Sequence, residues 1–185
     1  MGIRRVVTAD TAAGAGAVSD ERVAPITVGL IPGGEFHAIW GSDTPPSLPS
    51  DGQAPEVKGW FPPPGGFRFG FVTLGPDSAE LPAGYDLAAG ITELDQNLPG
   101  MVEVLEPEDP GMHTTDTIDY VVILSGEVWL ELDNGQQHLL RAGDTVVQNG
   151  TRHAWRNKNS QPCIMAVALI GATRSPGSAR TTPRR

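Results

Sequence analysis

Two β-type segments, residues 113–126 and 143–157, restrict the fold of this chain more than any other part of its sequence. Successive side chains of an extended strand point to opposite faces of a sheet. A strand over residues 113–124 therefore has a polar face and an apolar face, with His113, Thr115, Thr117 and Asp119 on the first and Tyr120, Val122 and Leu124 on the second. One face of this strand thus presents an imidazole and a carboxylate.

The second segment supplies another imidazole. His153 follows the dipeptide Asn149-Gly150, which favours a turn. A strand returning from that turn is able to aim His153 at His113 and Asp119. We therefore expect two histidines and one carboxylate to converge.

The first segment resembles the first of the two sequence motifs of the cupin superfamily. His113 takes the place of the first histidine of that motif, Asp119 that of its glutamate and Gly126 that of its closing glycine. Thr115 stands where the second histidine is expected. The first motif is therefore matched with two of its usual metal ligands altered.

The second segment resembles the second cupin motif, which Gly143, His153 and Asn157 match. Asn149 replaces the usual proline, and the turn is one residue shorter. The resemblance covers roughly residues 101–170 and implies an all-β fold. The expected architecture is a single cupin-type double-stranded β-helix, or jelly-roll barrel, with extra N-terminal strands, a proline-rich loop and one or two short helices.

The composition limits the class of protein. With 185 residues and 39% hydrophobic content, the chain is long enough for one domain with a substantial core. A net charge of −9 argues against nucleic acid or an anionic membrane as a partner, because both call for a basic surface. The single cysteine, Cys163, has no partner for an internal disulfide, which favours a reduced, cytoplasmic protein. We expect neither a signal peptide nor a membrane span.

The N-terminal region predicts strands separated by loops. Strands are predicted at residues 3–8 and on both sides of the Pro-Gly-Gly turn at residues 32–34. Between them, an Ala/Gly-rich connection is predicted through Gly14 and Gly16. Repeated prolines over residues 43–66 are incompatible with a regular element and predict a long surface loop or arm.

A helical period follows an aromatic, β-branched strand at residues 67–74. Apolar side chains then recur at intervals of three and four residues, at Leu87, Ile91, Leu94 and Leu98. This spacing predicts an amphipathic helix over residues 85–97 and a short turn of helix up to residue 106. An irregular loop with ordinary leucines is the alternative.

Beyond Gly111 the pattern predicts strands throughout. Asn134-Gly135 predicts a hairpin between residues 128–133 and 136–141, because this dipeptide supplies the positive φ angles of a type I′ turn. Two further strands are predicted, at residues 145–148 and 163–170. The last strand is apolar on both faces, so we expect it to be buried on both sides, under N-terminal strands or against a second subunit.

These elements predict a single domain. Residues 1–100 are expected to pack on a core barrel formed by residues 101–171, and residues 172–185 to form a disordered tail. The doubly apolar last strand and the N-terminal residues outside the core barrel predict a homodimer.

The resemblance implies a divalent transition metal, Fe, Zn, Mn or Ni, bound by His113, Asp119 and His153. Imidazole nitrogens and a carboxylate suit such a metal and leave positions open for water or substrate. The alternatives are a pocket without metal, or an Asp119 that only orients a histidine, since aspartate is one methylene shorter than glutamate. The expected pocket lining is Thr115, Thr117, Trp155 and Asn157.

Two classes of function remain open. The resemblance implies a metal-dependent enzyme that acts on a small organic acid, aromatic or polyketide-like compound by oxygenation, isomerisation, cyclisation or decarboxylation. The other class is a non-catalytic barrel that binds a small ligand for sensing or storage. The spacing places no general base in the pocket beyond the three residues expected to bind metal, which weighs against the enzyme.

Overall fold

The computed structural model describes residues 2–176. The strands are β1 Ile3–Thr11, β2 Gly14–Val23, β3 Glu35–Ser42, β4 Phe67–Leu74, β5 Thr117–Ser125, β6 Glu127–Glu131, β7 Gln137–Arg141, β8 Thr145–Gln148, β9 Ala154–Arg156 and β10 Cys163–Gly171. The α-helices are α1 Leu87–Asn97 and α2 Met101–Val104. Within residues 2–176, no helix is both long and apolar enough to cross a membrane.

The strands build a jelly-roll barrel from two antiparallel sheets. One sheet has the order β3-β4-β10-β5-β8 and the other the order β7-β6-β9. Side chains from both sheets share one core, which includes Val121 and Ile123 of β5, Val128 of β6 and Met165 of β10. The predicted all-β fold and barrel are confirmed.

The two faces of β5 carry the predicted side chains. Thr117, Asp119, Val121 and Ile123 are buried in the barrel, whereas Tyr120, Val122 and Leu124 are exposed. This alternation follows from the period of two in a strand. The polar end of the buried face therefore lies inside the barrel, next to the apolar core.

The N-terminal region forms more strand than its sequence indicates in one place and less in another. The predicted Ala/Gly-rich connection through Gly14 and Gly16 is instead strand β2, which pairs with β1, because Gly14 allows a tight turn at a φ of 106°. The strand expected before Pro32 is reduced to a single bridge between Ile26 and Phe36. There the chain turns, with Ile31 N donating to Val28 O.

The proline-rich segment is free of helix and strand over residues 43–66, as predicted. Its last part is not only a surface loop, because Trp60 and Phe61 pack against the barrel core. Gly65 N donates to Gly171 O, and Gly171 N donates to Gly66 O. A Cβ at Gly171 would lie 1.8 Å from Pro63 O, so this close crossing requires glycine.

Helix α1 begins where the sequence predicts a helix. Its cap is Asp86, whose carboxylate accepts hydrogen bonds from Ala88 N and Ala89 N. Of the predicted apolar stripe, Leu94 and Leu98 are buried against a second core cluster that contains Phe36, whereas Leu87 and Ile91 are exposed. The buried apolar stripe of α1 is therefore narrower than the spacing of its apolar residues in the sequence predicts.

Strand β10 is buried on one face only within this chain. Cys163, Met165, Val167 and Leu169 point into the core, whereas Ile170 on the other face is 39% exposed. The expectation of burial on both sides is therefore not met by the N-terminal strands. The reason is topological, since β3 and β4 extend the same sheet beside β10 instead of covering it.

The hairpin turn and the start of the tail are both described. Asn134 and Gly135 have φ angles of 61° and 71°, as the predicted turn requires.

Arg174, in the predicted disordered tail, donates to Asp116 Oδ1 over 2.5 Å and to Thr115 O over 2.8 Å. The ordered chain therefore continues past residue 171, and residues 177–185 of the predicted tail lie outside the described part.

Candidate functional site

His113 and His153 form a pair at one end of the barrel. His113 N donates to His153 O over 2.9 Å, and His153 N donates to His113 O over 3.0 Å. This reciprocal bridge brings the two imidazole rings to a centroid distance of 4.2 Å. The predicted convergence of the two histidines is therefore observed.

In each imidazole ring, a hydrogen bond between Nδ1 and the backbone carbonyl two residues earlier fixes the position of the proton. Nδ1 of His113 lies 3.0 Å from Gly111 O, and Nδ1 of His153 lies 2.9 Å from Thr151 O. A carbonyl oxygen only accepts, so Nδ1 carries the proton and Nε2 carries the lone pair. The pair thus presents two acceptor nitrogens held in defined orientations.

Both imidazoles are neutral at physiological pH. Burial lowers the pKa of His113, and burial together with the repulsion that a protonated His113 would exert lowers the pKa of His153 to about 3. Neutral imidazoles with a free Nε2 can accept a hydrogen bond from a ligand or bind a metal ion.

Asp119 lies in the barrel interior with an unsatisfied oxygen. The residue is 6% exposed, and its Oδ1 is buried without a hydrogen-bond partner. Burial raises the pKa of Asp119 to about 6, against a smaller opposing effect of the Thr117 hydroxyl. Thr117 Oγ1 donates to Thr115 Oγ1 over 2.8 Å, so these two predicted lining residues are bonded to each other.

The predicted three-residue metal centre is not assembled in the described residues. Within residues 2–176, no three His, Cys, Asp or Glu side chains lie close enough together to hold a metal ion. Residues 114–116 interrupt the strand before β5 begins, so the alternation that aligns Thr117 with Asp119 does not extend to His113. As placed, Asp119 does not complete a ligand set with the two histidines, and metal binding by the three residues stays a prediction.

A buried guanidinium holds the segment that carries His153, and the sequence motifs gave no indication of it. Arg152 donates through Nε to Glu106 over 2.8 Å, through Nη1 to Asp133 over 3.0 Å and through Nη2 to Asp109 over 2.9 Å. The Arg152 side chain is only 7% exposed. These carboxylates raise the pKa of Arg152 further, so it remains charged.

The other two predicted pocket residues have different surroundings. Trp155 packs edge-on against His153, with ring centroids 5.8 Å apart. Asn157 donates through Nδ2 to Leu74 O over 3.0 Å and to Gln161 O over 2.9 Å. Trp155 thus contacts the histidine pair, whereas the Asn157 amide is used to fix a turn.

Two cavities are formed near the barrel. An open cavity of about 240 Å³ is lined by Thr115, Thr117, Gly150 and Arg174 among others. A second, smaller cavity of about 50 Å³ is apolar and includes Trp60 in its lining. The first is the one next to the polar side chains of β5, although neither histidine belongs to its lining.

Comparison with known proteins identifies the barrel segment. The family model described as Cupin domain matches residues 101–169. Phomopsin biosynthesis cluster protein C′ of Diaporthe leptostromiformis is 44% identical over 68 residues, which are 34% of this chain and 36% of that protein. The cupin-domain-containing oxidoreductase virC of Hypocrea virens is 39% identical over 46 residues, which are 25% of this chain and 24% of that protein.

Among solved structures, the cupin domain of Schizosaccharomyces pombe Cnp3 matches with 9% identity and a TM-score of 0.47, covering 92% of this chain and 89% of that chain. The curated relatives are matched over a small part of their length, since the chain covers 36% and 31% of the two phomopsin cluster proteins. The matched family segment contains both histidines, Asp119 and strands β5 to β9. By this match and the topology of the two sheets, residues 101–169 of the chain form a cupin domain.

Proposed function

We propose that this cupin is an enzyme that binds and converts a small organic molecule at the end of the barrel where the histidines meet. The observation that carries the proposal is the pair of neutral imidazoles whose Nε2 lone pairs are fixed by hydrogen bonds from Nδ1 to backbone carbonyls. A site that only fills a core needs no such matched orientation. The names of several relatives support an oxidation as the overall reaction.

The residues of this chain contribute binding and proton transfer. Nε2 of His113 and Nε2 of His153 accept hydrogen bonds from hydroxyl or N–H groups of the ligand and hold it in one orientation. Asp119, with a pKa near 6, can take up or release a proton close to neutral pH, as a general acid or base must. A cytoplasmic location suits the buried, free thiol of Cys163.

The family also implies a divalent transition metal. His113 and His153 have the tautomer and the carbonyl contacts that metal-binding histidines have, but Asp119 does not join them. No step of the proposal depends on the metal. Elemental analysis of the purified protein, and of His153→Gln, tests whether the pair binds one.

The proposal is tested by turnover of hydroxylated aromatic and enolisable 1,3-dicarbonyl compounds, followed by mass spectrometry and oxygen uptake. We expect turnover by the wild-type protein and a loss of about 100-fold or more in His113→Gln and His153→Gln. His138→Gln is the matched control, because His138 lies in β7 on the exposed surface. Equal turnover in all variants would contradict the proposal.

The second candidate is a binding barrel without catalysis. It is favoured by one observation: Thr115 occupies the position of the second family histidine, and its hydroxyl accepts a hydrogen bond from Thr117. Compounds that bind to the wild-type protein but are recovered unchanged, with weaker binding in both histidine variants, would support this candidate.

A further inference from the structure

An acceptor and a donor lie side by side in the barrel, and neither has a partner. Asp119 of β5 and Gln148 of β8 are directly opposite each other in the strand register. They are 6% and 4% exposed. Asp119 Oδ1 and Gln148 Nε2 are both buried without a hydrogen bond. Such unsatisfied groups each cost about 1–3 kcal/mol, so their presence as neighbours requires an explanation.

The orientation of the Gln148 amide is defined by its other end. Thr151 Oγ1 donates to Gln148 Oε1 over 2.6 Å, which leaves the NH2 group as the free end of the amide. Side chains directly opposite in an antiparallel pair have Cβ atoms about 4.5–5.5 Å apart. The free carboxylate oxygen and the free amide NH2 are therefore spaced to contact one small group together.

We propose that Asp119 and Gln148 form a recognition site for the amide edge of a neutral ligand, such as a lactam, an imide or a primary carboxamide. The ligand N–H donates to Asp119 Oδ1, and the ligand carbonyl accepts from Gln148 Nε2. The inference rests on the proposed function, because it names the class of molecule that the same barrel end binds.

Charge favours an amide over an organic acid at this position. An ionised carboxylate ligand would face the Asp119 side chain in a protein of net charge −9. The arginines of this end do not offset the repulsion, since Arg152 and Arg174 already donate to carboxylates. A hydroxyl group can donate to Asp119 and accept from Gln148 only through one oxygen, whereas an amide edge presents a donor and an acceptor on two separate atoms, one for each partner.

The open cavity lies beside the pair along the same two strands, although neither Asp119 nor Gln148 belongs to its lining. Thr117 and Asn149 are part of the lining of this cavity of about 240 Å³. Thr117 is on the same face as Asp119, two residues earlier, and Asn149 directly follows Gln148. The cavity therefore lies about one strand step, roughly 7 Å, from the free donor and acceptor.

The test uses 2-quinolinone, a planar lactam, titrated into the full-length protein by calorimetry without any assay of turnover. We expect binding that weakens about tenfold in Gln148→Leu, the loss of one hydrogen bond in a buried site. Gln137→Leu is the matched control, because Gln137 is exposed in β7. N-methyl-2-quinolinone, which lacks the N–H donor, should bind about tenfold more weakly than 2-quinolinone to the wild type.

A specificity change gives a second, positive readout. Gln148→Glu places two acceptors side by side. This variant should therefore no longer bind 2-quinolinone and should bind benzamidine, which presents two donors and a positive charge. Its thermal unfolding shows whether it is folded, and Gln148→Leu serves as the independent variant if it is not.

The outcomes separate the two proposals. Lactam binding without turnover contradicts only the proposed enzyme, and turnover without lactam binding contradicts only the amide site. The amide site is also overturned if 2-quinolinone and its N-methyl form bind equally, or if quinoline-2-carboxylate binds more tightly than the lactam.

Discussion

The buried imidazoles make the folded state sensitive to acid. The pKa of His153 is about 3 in the folded protein, against an ordinary value of 6.5, so the unfolded chain takes up the proton first. The stability present above pH 6.5 is therefore lost as the pH falls toward 3, at about 1.4 kcal/mol per pH unit. Urea unfolding should show that the wild type loses about 2 kcal/mol more than His153→Gln between pH 7.5 and pH 5. Equal losses would mean that His153 is protonated in the folded state.

The pKa of Asp119 is shifted in the opposite direction, so its effect on the pH dependence of stability is also opposite. Its folded pKa of about 6 lies above the ordinary value of 3.8, so the carboxyl is protonated at low pH in the folded state, and stability is lost as the pH rises through 6. Asp119→Asn removes this cost and should stabilise the protein at pH 8 by up to about 3 kcal/mol, with little gain at pH 4. Thermal unfolding at the two pH values measures the difference. A variant less stable than the wild type at pH 8 would indicate that a bound cation stabilises the ionised carboxylate.

The residues of the site differ in how far the sequence predicts them. Strand alternation places Thr117 and Asp119 on one face because it depends only on neighbours in the chain. Gln148 was not predicted, because its position opposite Asp119 depends on the register between β5 and β8. The failure of Asp119 to join His113 has the same origin, since a break in the strand ends the alternation.

At the scale of elements, Arg152 connects the strand segment of His153 to two distant turns. Arg152→Met removes the buried guanidinium that pairs with Glu106, Asp109 and Asp133 and should destabilise the protein by about 3 kcal/mol. Arg141→Met is the control, because the Arg141 pair with Glu127 is exposed and should contribute less than about 1 kcal/mol. Urea unfolding of both variants measures this. Similar losses would show that the network does not hold the segment.

Elements specified by local chemistry are the ones that the sequence predicts well. The turn at Asn134-Gly135 and the start of helix α1 at Asp86 need only their own residues. Strand β2 was missed because its glycines and alanines have low strand propensity, and pairing with β1 overrides that preference. The exposed face of β10 was missed because a single strand does not reveal which element covers it.

At the scale of the whole molecule, the outer face of the larger sheet is apolar and uncovered in the single chain. Its exposed side chains are those of Phe69, Tyr120, Val122, Leu124, Val147 and Ile170. They lie on the adjacent strands β4, β10, β5 and β8 and form one surface, which we call the outer apolar face. Contiguous apolar patches of this kind on a soluble protein mark interaction surfaces.

We propose that the outer apolar face packs against the same face of a second copy. Three strands of about 27 Å and the shorter β8 of about 14 Å, at a spacing of about 4.8 Å, give a face of roughly 450 Å² in projection. The accessible surface that each partner buries in a stable interface is about 800 Å², and the relief of the side chains raises the accessible area of this face above its projection. A symmetric pairing satisfies both copies at once, because a two-fold interface uses the same residues on each side. Light scattering should therefore give twice the chain mass of 19.5 kDa.

The outer apolar face can be tested by placing one charge in its centre. Val122→Asp should shift the protein to a monomer at micromolar concentration, because the dimer would bury two unpaired carboxylates, while the barrel core remains intact beneath the sheet. Leu48→Asp is the matched control, since Leu48 is 91% exposed in the proline-rich loop and belongs to none of the four strands of this face. A wild-type monomer, or a dimer that survives Val122→Asp, would contradict the proposed interface.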